Sequence, residues 1–199
     1  MTEPQGEIPQ PRVQAVHTPF HDRPVQNEEV RKLLSQVNPT KAMGPDKMHP
    51  RVLKELSDVM AGPLCTIFQT SLTSGIVPAS WREANVSAIH KKSSKKQPGN
   101  YRPVSLTSVV CKQLEKIIRS RILEHMSTNA LISAEQHGFL PGRSTTTQLL
   151  QVINDWTATL DAGGELDVIY FDFAKAFDTV PHRRLLRKLE SYGMSQSII

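Results

Sequence analysis

Val168-Ile169-Tyr170-Phe171-Asp172-Phe173-Ala174-Lys175-Ala176-Phe177-Asp178-Thr179-Val180 decides how the rest of the chain is read. The continuous apolar run over Leu166–Phe173 predicts a buried strand. That strand delivers a carboxylate, Asp172, to its C-terminal end. A carboxylate buried there is costly unless it is paired or meets a cation. A strand mouth of this kind suits Mg²⁺, which takes one or two protein carboxylates and leaves the rest of its shell to phosphates and water. A helix N-cap is the competing use, and from spacing alone it is the more ordinary one.

Working outward, Asp161-Ala162-Gly163-Gly164 turns the chain into that strand. Before the turn, Leu149, Leu150, Ile153, Trp156 and Leu160 line one side of a predicted helix, entered through the loop Phe139-Leu140-Pro141-Gly142-Arg143-Ser144. After the strand, Leu185, Leu186 and Leu189 mark a last helix that stops near Gly193. Toward the N-terminus, Val110, Leu114, Ile117, Ile118 and Ile122 predict a long helix with a basic opposite face. A strand near Asn85–His90 and a partner over Arg102–Leu106 flank the basic loop Lys91-Lys92-Ser93-Ser94-Lys95-Lys96-Gln97-Pro98-Gly99, and Pro103 confines the second strand to an edge. Three more helices are expected. One is capped by Asn27 and carries Val30, Leu33, Leu34 and Val37; one starts at Pro50; one starts at Pro63 and ends at Gly75. Helices first and a central strand later make the fold class α+β.

The chain has 199 residues and no apolar run of the length a bilayer span needs. Residues 1–24 hold five of the 14 prolines and read as an extended leader or linker. The N-terminus lacks the pattern of a secretion signal, and Cys65 and Cys111 form neither a metal cluster nor a disulfide framework. An intracellular, cytoplasmic or nuclear chain with no membrane segment is the expectation. Between Arg82 and Arg121, ten Lys or Arg face two acids, a net +8 that leaves −3 for the rest of a +5 chain. Charge gathered in this way favours a polyanion partner, and a merely solvated basic face is the alternative.

The segment from Phe171 to His182 resembles the first palm motif of non-LTR retrotransposon reverse transcriptases. Three further segments agree with that family in order and spacing. Lys41-Ala42-Met43-Gly44-Pro45-Asp46 is similar to its Gly-Pro-Asp lead-in, with Lys47 where a Gly is usual. Ser87–Lys92 with Asn100–Leu106 resembles the fingers hairpin, with His90 where an aromatic or apolar residue is usual. Glu135–Thr145 resembles a Gly-Phe-Arg-x-Gly-Arg-Ser segment, with Leu140 in place of an Arg.

The resemblance covers about residues 25–199. It implies a truncated right-hand polymerase fold: mostly helical fingers over about 25–160, then the first palm strand and helix over about 161–199. It implies RNA-directed DNA polymerase activity, extending a DNA primer on an RNA template with dNTP and two Mg²⁺ ions. Asp172 would be the catalytic carboxylate and a metal ligand, and Phe173 would add its backbone carbonyl. Lys175 and Ala176 would lie against the incoming triphosphate, and Phe177 would be the aromatic gate against a ribose 2′-OH. Asp178 would be structural. Lys91, Lys92 and Arg102 would help bind the triphosphate, since fixed cations suit it. Gly142, Arg143 and Ser144 at a helix start would meet nucleic-acid phosphate, a use compatible with an ordinary Ser N-cap. The family's remaining carboxylates come from an aromatic-x-Asp-Asp turn, a pattern absent from these 199 residues. The expectation is therefore a fragment that is inactive alone and needs the remainder of the polymerase. A nucleic-acid-binding remnant, or a subunit completed by another chain, is the alternative.

Overall fold

A computed structural model of the chain describes residues 16–174 and 176–199. It is a mixture of helices and one small sheet: α1 Asn27–Ser35, α2 Pro50–Glu55, α3 Ser57–Ser74, β1 Asn85–His90, β2 Tyr101–Leu106, α4 Val109–Thr128, α5 Thr145–Asp161 and α6 His182–Ser191. The chain divides into two compact units. One comprises residues 19–125 and 193–199, the other residues 126–192 with the described residues before 19.

The first unit holds the core. Val30 and Leu34 of α1, Leu53 of α2, Phe68 of α3 and Ile117 of α4 are all buried in one cluster. Their spacing on each helix makes the stripes the sequence predicts. Trp81 closes one side, its ring edge-on to Phe68 at 5.8 Å. Residues before α1 are drawn into the same cluster. Val25 is buried, its N–H donates to Gln69 Oε1 at 2.8 Å, and its carbonyl accepts from Cys65 Sγ at 3.2 Å. Both cysteines are free thiols. Burial first, and the Glu115 carboxylate second, push the Cys111 thiol up to about 12.

Two helix starts differ from the expectation. Gln26 rather than Asn27 is the N-cap of α1, with no side-chain cap bond, because Asn27 is already helical. Pro63 lies inside α3, not at its start. The break falls at Leu56, between α2 and α3, where the Leu56 carbonyl still accepts from the N–H groups of Val59 and Met60. Pro63 therefore removes one ladder bond without ending the helix. Gly75 ends α3 in the left-handed conformation at φ 67°, as a C-terminal glycine should.

Arg121 also departs from the sequence reading. It follows Leu114 and Ile117 on the apolar stripe of α4 and is 3% exposed, so it is not part of the basic surface. Its Nη2 lies 3.6 Å from Glu29 Oε2 of α1 and donates to the Pro24 carbonyl at 3.4 Å.

The lead-in loop explains its own glycine. A Cβ on Gly44 would sit 2.6–2.7 Å from backbone atoms of Thr107 and Ser108, so the loop rests directly on the junction of β2 and α4. Ser108, fully buried there, accepts the Cys111 N–H on Oγ at 3.2 Å and so caps the start of α4. Lys47, standing where glycine is usual, has φ 55°. A side chain in that region is strained by about 1–2 kcal/mol. Lys47→Gly is therefore expected to stabilise the unit by about 0.5–1 kcal/mol after the entropic cost of glycine. Thermal denaturation of the two chains checks this, and a lower Tm for the variant would contradict it.

In the second unit the predicted strand does not form. Residues 165–173 are in no ladder, and Tyr170 and Phe171 are 85% and 87% exposed. Among the described residues no segment pairs with this run. A strand's N–H and C=O groups need such a neighbour before its side chains can be covered. The apolar side of α5 is uncovered as well: Leu149, Leu150, Ile153 and Leu160 are all exposed. Among the described residues no helix is long and apolar enough to cross a membrane.

Candidate active site

The basic hairpin belongs to the first unit. Strands β1 and β2 pair antiparallel from Asn85↔Leu106 to His90↔Tyr101. The Lys91 N–H extends the ladder to the Asn100 carbonyl at 2.8 Å. Alternation from that bond puts Pro103, opposite Ala88, at a non-hydrogen-bonded pair, where a missing N–H costs nothing. The loop between the strands is tied from within. Asn100 Nδ2 donates to the Ser94 carbonyl at 2.8 Å, and Tyr101 Oη donates to the Lys95 carbonyl at 3.0 Å. His90, a departure from the family pattern, is a fastening here. Its Nε2 bonds to the Ser93 carbonyl at 3.0 Å and its ring sits edge-on to Tyr101 at 5.3 Å.

The resulting tip is strongly cationic. Lys91, Lys92, Lys95, Lys96 and Arg102 are all exposed, and none is in an ion pair among the described residues. Period-two alternation puts Lys91 on the same sheet face as Arg102, which stands opposite Ile89. An ordered loop that holds several unpaired cations is chemically better suited to phosphate than to a neutral ligand.

In the second unit, Ser144 caps α5 in a reciprocal box. Its Oγ accepts from the Thr147 N–H at 3.2 Å, and its own N–H donates to Thr147 Oγ1 at 2.9 Å. The ordinary cap is therefore formed. Gly142 supplies the left-handed turn before it, at φ 73°. Arg143 is turned back into its own loop, Nη1 donating to the carbonyls of Ala134 and Gln136. His137 bridges the loop to α5 through Thr147 Oγ1 at 3.0 Å and Gln151 Oε1 at 3.1 Å.

The Asp172 segment lies in the same unit. Asp172, Phe173, Ala176 and Phe177 are exposed, and Lys175 lies outside the described residues. Asp172 is thus not a buried carboxylate, and it is not a helix cap. The next helix, α6, starts at His182 with Pro181 as its N-cap and no side-chain cap bond. The same fact leaves Asp178, which sits in the turn before Val180, outside the cap of α6.

One contact draws two of the motif segments together. The rings of Phe139 and Phe177 meet edge-on at 6.0 Å and 86°. Phe139 holds φ 63°, a strained position for an aromatic residue. The sequence gives Phe139 only as part of a motif; its positive φ and its partner come from the fold.

Among the described residues no three His, Cys, Asp or Glu gather as a metal cage. The Asp172 carboxylate and the adjacent Phe173 carbonyl are accessible hard oxygen donors. They are chemically suited to Mg²⁺ as part of a ligand set, not as the whole of one.

The family model described as reverse transcriptase (RNA-dependent DNA polymerase) matches residues 89–199, from the end of β1 through the Asp172 segment to the last residue. The RNA-directed DNA polymerase from mobile element jockey of Drosophila funebris is 34% identical over 185 residues, covering 89% of this chain and 20% of that protein. The probable RNA-directed DNA polymerase from transposon X-element of Drosophila melanogaster is 27% identical over 178 residues, again covering 89% and 20%. The Pol polyprotein from the type-2 retrotransposable element R2DM of the same fly is 27% identical over 165 residues, covering 83% and 15%. The chain therefore spans about a fifth or less of the length of these relatives.

Proposed function

The chain belongs to the reverse transcriptase family, and from that premise we propose that it forms the fingers and the start of the palm of an RNA-directed DNA polymerase of a non-LTR retrotransposon. In this reading an RNA template and a DNA primer are the partners and dNTP is the substrate. The observation that carries it is the span of the family match, which holds the cationic hairpin tip and the Asp172 segment in one continuous stretch. The right-hand polymerase fold is part of the proposal. Leu166–Phe173 becomes the first palm strand when the strands that pair with it are present, which also covers its exposed side chains.

Each residue then has a physical task. Asp172, with the Phe173 carbonyl, would supply part of the ligand set of Mg²⁺. Mg²⁺, when bound, neutralises charge on the phosphate oxygens. Lys91, Lys92 and Arg102 hold the triphosphate by charge-assisted hydrogen bonds, and Lys175 and Ala176 lie along it. Phe177, braced by Phe139, leaves no room for a 2′-OH. Gly142, Arg143 and Ser144 bring the start of α5 to nucleic-acid phosphate, which meets the helix N-terminus and the part of the guanidinium that the loop does not use, since the Arg143 and Ser144 N–H groups already donate to the Leu140 carbonyl and Thr147 Oγ1.

Primer extension tests this in a polymerase that joins residues 25–199 to the remainder of a palm. Arg102→Gln is expected to raise the KM for dNTP about tenfold or more, because a charge-assisted hydrogen bond contributes about 1.5–3 kcal/mol. Lys95→Gln is expected to leave KM nearly unchanged, as befits a solvated loop residue. Equal effects of the two variants would remove the triphosphate role of the hairpin.

A further inference from the structure

The geometry of α6 points to a second polyanion-binding surface, a helix face that grips a nucleic-acid backbone without reading its sequence. This rests on the polymerase reading above for the choice of partner. Helix α6 reads His182-Arg183-Arg184-Leu185-Leu186-Arg187-Lys188-Leu189-Glu190-Ser191, four Lys or Arg against one acid. At 3.6 residues per turn, Leu185, Leu186 and Leu189 fall on one side. Arg184, Arg187 and Lys188 fall on the other, and all three are exposed. Whatever covers the leucines, the cationic face stays outward.

That face is arranged against the helix's own stability. Arg183 with Arg187 and Arg184 with Lys188 are like-charge pairs at i, i+4, a spacing that brings them into repulsion. Arg184 also occupies the first turn, where the helix dipole disfavours positive charge, and that turn holds no acidic residue. Arg184, Arg187 and Lys188 make no ion pair among the described residues. Lys188 Nζ lies 5.6 Å from the centre of the Tyr192 ring, a contact that still leaves the residue exposed. Cations placed where they destabilise the free helix are accounted for by an anionic partner that relieves the repulsion on binding. Three of the four are Arg, the side chain that matches phosphate with a planar fork. The surface is separate in sequence from the +8 segment and is not predicted by it.

The test compares the full chain with Arg184→Gln/Arg187→Gln/Lys188→Gln and with Lys91→Gln/Lys92→Gln. Anisotropy of a labelled short DNA duplex is read across a salt series, and vesicles of phosphatidylserine and phosphatidylcholine serve as the second polyanion. The α6 variant is expected to bind more weakly and to flatten the log–log salt slope by about 2–3, at about 0.9 per lost phosphate contact. Its melting temperature should be unchanged or higher, since repulsion is removed. The hairpin variant should flatten the slope independently. An α6 variant with the wild-type slope, beside a hairpin variant that moves, would overturn this inference and leave the polymerase reading standing. Loss of duplex binding by the hairpin variant alone would do the same. Binding of wild type to the anionic vesicles in preference to the duplex would overturn the nucleic-acid assignment of α6.

Discussion

Asp172→Asn is expected to abolish nucleotide incorporation, with kcat falling by orders of magnitude at an unchanged melting temperature, in a polymerase that carries this segment. The amide keeps the size of the side chain and removes the charge a hard cation needs. The residue is exposed, so the fold of this chain has no stake in it. Asp178→Asn is expected to leave substantial activity. It caps no helix and sits in a turn, so its substitution should cost no more than about 0.5 kcal/mol of stability. Single-turnover incorporation, with a melting curve for each variant, separates the two. Equal loss of activity from both substitutions at unchanged Tm would show that the roles within this motif are wrongly divided.

Gly44→Ala should be the most damaging small change in the first unit. The added methyl would meet the backbone of Thr107 and Ser108 at 2.6–2.7 Å, and backbone at a buried helix cap cannot move aside like a flexible side chain. Overpacking of this kind costs about 1–3 kcal/mol. For a unit of this size a loss near the upper end lowers Tm by roughly 10 °C or more. Gly99→Ala is the control, since nothing lies within 4 Å of a Cβ there. Thermal melting of both variants checks the claim, and equal Tm values would refute the close approach of the lead-in loop to the start of α4.

What could be read from the sequence follows from where each signal lives. Helix stripes and a two-strand hairpin are local, so α1, α4 and β1 lay open in residue spacing, and Gly75 marked its helix end. Pro63 misled because proline favours a helix's first turn, while the actual break at Leu56 has no residue that announces it. The burial of Arg121 is hidden from a net charge along the chain, which does not say on which side of a helix a cation lies. Leu166–Phe173 is a different case. Its apolar run records an environment suited to a strand, yet a strand is a relation between segments, and no partner segment lies among the described residues. The same holds for the exposed leucines of α5. Of the candidate site, the cationic tip and Asp172 were legible as residue types in place. The contact between Phe139 and Phe177, the fastening role of His90 and the inward turn of Arg143 depend on three-dimensional packing that motif spacing does not carry.

The central claim is that the Asp172 carboxylate holds a divalent cation for nucleotidyl transfer, and a change of ligand softness tests it most directly. In the polymerase carrying this segment, Asp172→Cys replaces a hard oxygen donor with a thiolate, which binds Mg²⁺ poorly and thiophilic cations well. Primer extension on an RNA template is measured with Mg²⁺ alone and with Cd²⁺ added. The account predicts that the Cys variant is inactive with Mg²⁺ and regains measurable extension with Cd²⁺, while Asp172→Asn stays inactive in both. A Cys variant as active as wild type in Mg²⁺ alone would contradict it.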